Sequence, residues 1–232
     1  MHGRAEPRLR ADERAVRVDT GAVTLDGTFG MPTAPRGVVL FAHGSGSGRF
    51  SARNRFVAEF LRDGGLATLL VDLLTEREEE IDVHTREYRF DISRLAQRLV
   101  GATEWLAAQE VTKELPVGLF GASTGGGAAL VAAAALPERI TAVVSRGGRP
   151  DLAGAVLRRV RAPTLLIVGG NDEPVIELNE NALAQLRAPA RLEVVPGATH
   201  LFEEEGALET VARLARSWFM SYAARREPVS TA

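Results

Sequence analysis

The sequence predicts an α/β fold: a mainly parallel central sheet flanked by helices, with no large lid domain. Three observations carry this reading. Short aliphatic runs alternate along the chain with longer stretches of helical periodicity. The runs are apolar throughout rather than at every second residue, as strands buried on both faces are. No linker, internal repeat or low-complexity tract interrupts the alternation over 232 residues, so 1–232 is expected to be one domain with its core at 14–222 and flexible termini.

Residues 1–14 are Arg-rich and mixed in charge, without the apolar stretch of a secretory leader. No run of about 18 apolar residues follows, so a cytoplasmic protein with no membrane partner is expected. Residues 20–29 alternate with period two at Val23, Leu25 and Gly27 and read as an antiparallel edge strand, with Val16 and Val18 as candidates to pair with it. Residues 38–42 form the first buried strand and stop at glycines. Helical spacing at Phe56, Val57, Phe60 and Leu61 ends at Gly64 and Gly65, and a second buried strand follows at 67–71.

A helix over 92–108 aligns Ile92, Leu95, Leu99, Ala102 and Leu106 on one stripe. Pro116 opens a strand at 117–120, a helix of small residues covers 125–136, and another strand spans 140–144. Pro163 opens the strand at 164–168, a helix crosses 176–186, and 191–195 is the next strand. An amphipathic helix at 207–222 closes the pattern, and 225–232 reads as a frayed tail. The stretch between Ser145 and Pro163 is too short for the large helical lid of many lipases.

Composition narrows the chemistry. A formal charge of −2 offers no basic field to displace counterions from nucleic acid, so a nucleic-acid partner is not expected. The absence of cysteine excludes disulfides, thiolate metal sites and a cysteine nucleophile.

The central signal is Gly121-Ala122-Ser123-Thr124-Gly125, a G-x-S-x-G pattern directly after a buried strand and directly before a helix. A sharp turn there strains the serine and lifts its hydroxyl above the C-terminal edge of the sheet. The helix N-terminus behind it favours developing negative charge. The competing reading is a Gly-rich turn with an incidental serine. A serine hydroxyl also needs a base. Of four histidines, only His200 follows Ser123, in the loop after the strand at 191–195. Asp172 lies in the Gly-rich turn after the strand at 164–168. It is the candidate acid, with Glu173 as local competitor and a helix N-cap as the alternative role.

The loop after the first buried strand, His43-Gly44-Ser45-Gly46-Ser47-Gly48, is poor in side chains and suited to an oxyanion hole. The N–H of Ser45 is expected as one donor and that of Thr124 as the other. A phosphate-binding glycine loop competes, but neither a Lys-Ser/Thr ending nor G-x-G-x-x-G spacing is present. His43 is expected to be a structural hydrogen-bonding residue rather than a second base.

With the His43-Gly44 loop, the Ser123 motif, Asp172 and His200 in this order, residues 38–222 resemble the α/β-hydrolase superfamily, and within it the dienelactone hydrolase-like group. The resemblance implies an eight-stranded sheet and hydrolysis of an ester or lactone through a covalent intermediate, with no cofactor and no metal. One departure matters: the archetypal members use cysteine as nucleophile, where this chain has Ser123, so the archetype's own substrate is not carried over.

A small-molecule ester or lactone is therefore the expected partner, with the oligomeric state, monomer or homodimer, left open. Rivals on the same triad are an acyltransferase, a small peptidase or a perhydrolase; from another class, a catalytically silent binding module. Two further residues are candidates for substrate contact. Tyr88, in the segment 74–90 beyond the strand at 67–71, either walls the pocket together with Phe90 or packs elsewhere, while Glu76 to Glu80 read as a solvated face. Arg146, just past the strand at 140–144, either takes a substrate carboxylate or phosphate or pairs with Asp151 or Glu173.

Overall fold

The computed structural model describes residues 9–223; residues 1–8 and the tail expected to fray at 225–232 lie outside them. Eight strands form one sheet: β1 (Glu13–Asp19), β2 (Thr24–Gly30), β3 (Val38–Ala42), β4 (Ala67–Val71), β5 (Val117–Ala122), β6 (Ile140–Arg146), β7 (Thr164–Gly169) and β8 (Ala190–Val195). Their order is β1-β2-β4-β3-β5-β6-β7-β8. β2 runs antiparallel to both neighbours, and every pairing from β4 to β8 is parallel. This is the mainly parallel sheet the alternation predicts, with the eight strands the resemblance implies and no lid domain among the described residues.

Between the strands lie α1 (Ala52–Asp63), α2 (Glu76–Thr85), α3 (Ile92–Ala108), α4 (Thr124–Ala135), α5 (Glu173–Leu183) and α6 (Ala207–Tyr222). They cover both faces, and the sheet's side chains divide accordingly. Along β3, Val38, Leu40 and Ala42 pack with Leu99 of α3 and Leu130 of α4. Val39 and Phe41 pack on the other face with Leu61 of α1 and Phe219 of α6. All five β3 residues are buried, and each larger one contributes roughly 2 kcal/mol, so a slip in register would misplace both faces at once.

The edge differs from expectation. β2 is the antiparallel strand next to it, and the edge is β1, which pairs along β2 from Glu13↔Gly30 to Asp19↔Thr24, with Val16 and Val18 opposite Gly27 and Leu25 in the pairing expected of them. β1 is mostly charged and exposed, with Val18 alone buried, so its apolar signal is thin. The segment 74–90 is partly ordered as α2, capped by a Thr75–Glu78 capping box. Glu78 is not on a solvated face, since its carboxylate takes Arg94 at 2.9 Å and Arg98 at 2.8 Å and joins α2 to α3. The interval before β7 holds a 3-10 helix, Pro150–Arg159, kinked at Gly154.

Candidate active site

The site is assembled at the C-terminal edge of the sheet, where β3, β5, β7 and β8 each end in a loop. β5 stops at Ala122 and α4 starts at Thr124, leaving Ser123 alone to turn the chain. Its backbone is left-handed, φ 52° and ψ −122°, a conformation that costs a non-glycine residue about 1–3 kcal/mol. The neighbours hold it there: Ser123 N–H donates to the Arg146 carbonyl at 3.1 Å, and its own carbonyl accepts from Gly126 at 2.9 Å and Arg149 at 3.0 Å. The flanking glycines are required by close approach. A Cβ on Gly121 would stand 2.5 Å from the Gly125 carbonyl oxygen, and one on Gly125 would stand 2.3 Å from that of Ala42.

Three loops then bring the polar side chains together. His200 Nε2 lies 3.4 Å from Ser123 Oγ, and His200 Nδ1 lies 2.7 Å from Asp172 Oδ2. Asp172 occupies the N-cap position of α5 yet makes no side-chain cap bond, so its carboxylate is free for the imidazole. The acid and histidine loops are bonded to each other. Gly170 N–H donates to Val195 at 2.8 Å, Asn171 N–H to Ala198 at 2.9 Å, and the Asn171 side-chain amide to Gly197 at 2.9 Å. Nothing in the sequence marks Asn171 for this positioning role, because a neutral side chain cannot serve as the acid.

Below His200, Phe202 turns the loop inward. It is buried with φ 56°, and Thr199 N–H donates to Glu204 at 3.0 Å. Glu203 pairs with Arg53 at 3.0 Å, tying the histidine loop to α1. These contacts join residues far apart in the chain and have no local signature.

The loop 43–48 lies against Ser123, with a Cβ on Gly44 only 3.2 Å from Ser123 Cβ, and the N–H groups of Ser45 and Thr124 have no protein acceptor among the described residues. Beside it opens a cleft of about 1170 Å³, whose lining includes His43, Ser45, Phe50, Arg53, Leu74 and Val83. His43 is buried and bonded to backbone at both ring nitrogens, as a structural residue should be.

The two substrate-contact candidates fare differently. The Tyr88 ring sits under the Arg94 guanidinium, 4.5 Å from its centroid, and packs against the α3-side core. Neither Tyr88 nor Phe90 lines this cleft, and Phe90 is exposed. The reason is Asp82, which accepts the Tyr88 and Arg89 N–H groups and folds the end of the segment back onto α2.

Arg146 pairs with neither carboxylate proposed for it. Asp151 is taken by Arg149 through two bonds of 2.8 Å. Arg146 is buried, its guanidinium lies 5.9 Å from the Phe202 ring centroid, and its Nε and Nη1 have no hydrogen-bond partner. Burial, with the positive charge of Arg53 nearby, pulls its pKa down to about 10. No group of three or more metal-binding side chains occurs among the described residues, and no helix there is long and apolar enough to cross a membrane.

Comparison with known proteins identifies the family and the fold. The model of the dienelactone hydrolase family matches residues 25–225. A solved dienelactone hydrolase from Anabaena variabilis is 63% identical, with a TM-score of 0.89 over 90% of this chain and 97% of that one. Est1E from Butyrivibrio proteoclasticus, 17% identical over 91% of this chain and 99% of its own, shares the fold with a TM-score of 0.75. A Mycobacterium tuberculosis protein provisionally named a phosphoribosyl transferase is 58% identical over 218 residues, 94% of this chain. The match covers 48% of that relative, so the chain spans about half its length.

Proposed function

This chain belongs to the dienelactone hydrolase family, and from that membership we propose that it is a serine hydrolase cleaving a carboxylic ester or lactone of a small molecule. The observation that carries the reading is the continuous chain of contacts from Asp172 through His200 to Ser123, 2.7 Å and 3.4 Å long. A hydroxyl, a base and a carboxylate in that geometry have one shared use, activation of the hydroxyl as a nucleophile.

In the proposed reaction His200 Nε2 takes the Ser123 proton as Oγ attacks the carbonyl carbon. Asp172 holds the imidazole by its Nδ1–H and balances the imidazolium without taking a proton. The oxyanion is met by the N–H groups of Ser45 and Thr124, the second at the positive end of α4. His200 returns the proton to the leaving oxygen, and the acyl group stays on Ser123. Water then enters by the same base and releases the acid. Arg146 extends the reading: its Nε and Nη1 have no hydrogen-bond partner, and contact with an anionic group on the substrate requires the side chain to shift, since it is buried and outside the cleft lining.

Acyltransfer, perhydrolysis and peptide cleavage would use the same residues with another acceptor or leaving group. Phosphoribosyl transfer, from the name of the mycobacterial relative, is the rival reading. It leaves the Ser123–His200–Asp172 chain without a role, and the half-length match leaves ample chain in that relative for another activity. Labelling with a fluorophosphonate probe, together with turnover of p-nitrophenyl esters and lactones, tests the proposal. Labelling and turnover that vanish in Ser123→Ala support it; a wild-type chain inert to both would leave a silent binding module.

A further inference from the structure

His43 sits at the C-terminal end of β3, and both its ring nitrogens are engaged by backbone. Leu73 N–H donates to Nε2 at 2.9 Å, so that nitrogen carries no proton. The ring proton is therefore on Nδ1, which lies 2.9 Å from the Gly44 carbonyl oxygen and donates to it. Neither nitrogen is left over for proton transfer.

The same Gly44 carbonyl accepts a second bond, from Ser47 N–H at 3.2 Å. A trans peptide sets its N–H opposite its C=O, so holding this carbonyl toward His43 and Ser47 turns the Ser45 N–H the other way. The loop here runs against the nucleophile: a Cβ on Gly44 would stand 3.2 Å from Ser123 Cβ. The far end of the loop is anchored to the same segment. Asp72 accepts the Arg49 N–H at 2.6 Å and pairs with the Arg49 guanidinium. Residues 43–49 are thus pinned at both ends to Asp72 and Leu73, just past β4, and the side chain that reaches the Gly44 carbonyl is that of His43.

We infer that His43 is a positioning residue: its Nδ1–H fixes the Gly44–Ser45 peptide and so aims the Ser45 N–H at the oxyanion. The inference rests on the proposed hydrolysis for its catalytic meaning and on the hydrogen bonds alone for its geometry.

Two substitutions separate the two ends of the ring. The Asn amide reaches where Nδ1 stands, so His43→Asn keeps a donor for the Gly44 carbonyl and abandons Leu73. The Gln side chain reaches where Nε2 stands, so His43→Gln keeps an acceptor for Leu73 and abandons Gly44. Loss of an oxyanion donor costs kcat rather than KM, so His43→Gln should lower kcat by about 10²-fold with KM within about threefold. His43→Asn should recover at least about tenfold of that kcat, even where its melting temperature is the lower of the two. Equal losses of kcat in both variants, or the reverse order, would overturn the inference and leave His43 a purely structural residue. Crystal structures of the two variants give a readout independent of turnover. A Gly44–Ser45 peptide rotated in His43→Gln but not in His43→Asn supports the inference, and one unmoved in His43→Gln overturns it. Should the wild-type chain turn over no ester, the hydrolase reading falls, and peptide orientation still decides the role of His43.

Discussion

His200 Nδ1 stands 2.7 Å from Asp172 Oδ2, although Asp172 precedes α5 at the position where an aspartate ordinarily caps the helix. The carboxylate makes no bond to the first turn of α5, so local capping has been given up for a contact 28 residues away. The cap forgone contributes typically about 1 kcal/mol, a small sum beside what an imidazole loses without its acid. The contact fixes Nδ1 as the protonated nitrogen and leaves Nε2 to face Ser123.

On the proposed mechanism Ser123→Ala should lower kcat on a p-nitrophenyl ester by about 10⁶-fold, because the members of a Ser-His-Asp triad act as a unit. Asp172→Asn should lower it by roughly 10⁴-fold, because an amide no longer selects the imidazole tautomer. Circular dichroism melts should show both variants folded. A Ser123→Ala protein retaining most of its activity would exclude Ser123 as nucleophile.

Asn171 supplies a subtler test. Its side-chain amide donates to the Gly197 carbonyl and locks the acid loop to the histidine loop, while Asn171 itself is exposed. One such bond contributes about 1 kcal/mol. Asn171→Ala should lower kcat about fivefold with little change in melting temperature, because the bond orients two catalytic loops rather than holding the core. A drop in melting temperature without a drop in kcat would assign the bond to stability instead.

What the sequence carried was local. The strand before Ser123 and the helix after it are contiguous in the chain, so the elbow was legible from a run of eight residues. The helices at 92–108 and 207–222 have the expected bounds, because their apolar stripes are long enough to average out exceptions. The contacts that stayed hidden depend on tertiary registration. β6 continues to Arg146, two residues past its expected end, which puts that side chain on the α1/α6 face and leaves Arg149 to meet Asp151. Arg53 and Glu203 are 150 positions apart, and no spacing rule links them. Of β1 only Val16 and Val18 were legible as partners of the next strand, because a strand exposed on most of its length has no need of apolar residues.

Acid stability should depend on Asp82, buried at the end of α2. Burial alone would raise its pKa, but the N–H of Arg89, the Arg89 guanidinium and the N–H of Tyr88 together hold it below the usual carboxylate value. The unfolded chain thus binds this proton more tightly than the folded one. The stabilisation is complete above the unfolded value near 4 and is lost as pH falls through the folded value beneath it. In urea titrations, the stability gap between wild type and Asp82→Asn should be widest at neutral pH and should close as pH drops below about 4. A gap that stays constant over this range would show that the carboxylate's charge is not what stabilises the turn.

Arg146 lets stability and the proposed anion contact be tested in one side chain. Its guanidinium titrates near 10, below the ordinary arginine value, because burial and the charge of Arg53 both disfavour the cation. The unfolded chain therefore holds that proton more tightly, and stability should rise with pH above about 10 as the folded group sheds its charge. At neutral pH the charge is a burden on the fold, so Arg146→Met, close in size and neutral, should melt no lower than wild type. The same substitution removes the donors of the proposed anion contact. A charge-assisted contact contributes about 2 kcal/mol, so kcat/KM for anionic esters should fall about 30-fold while neutral esters change by less than about threefold. That discrimination should fade as pH rises through about 10, where Arg146 is itself neutral. Equal losses on neutral and anionic esters would remove the anion contact, and a clearly lower melting temperature would mean the buried cation has a partner that stabilises it.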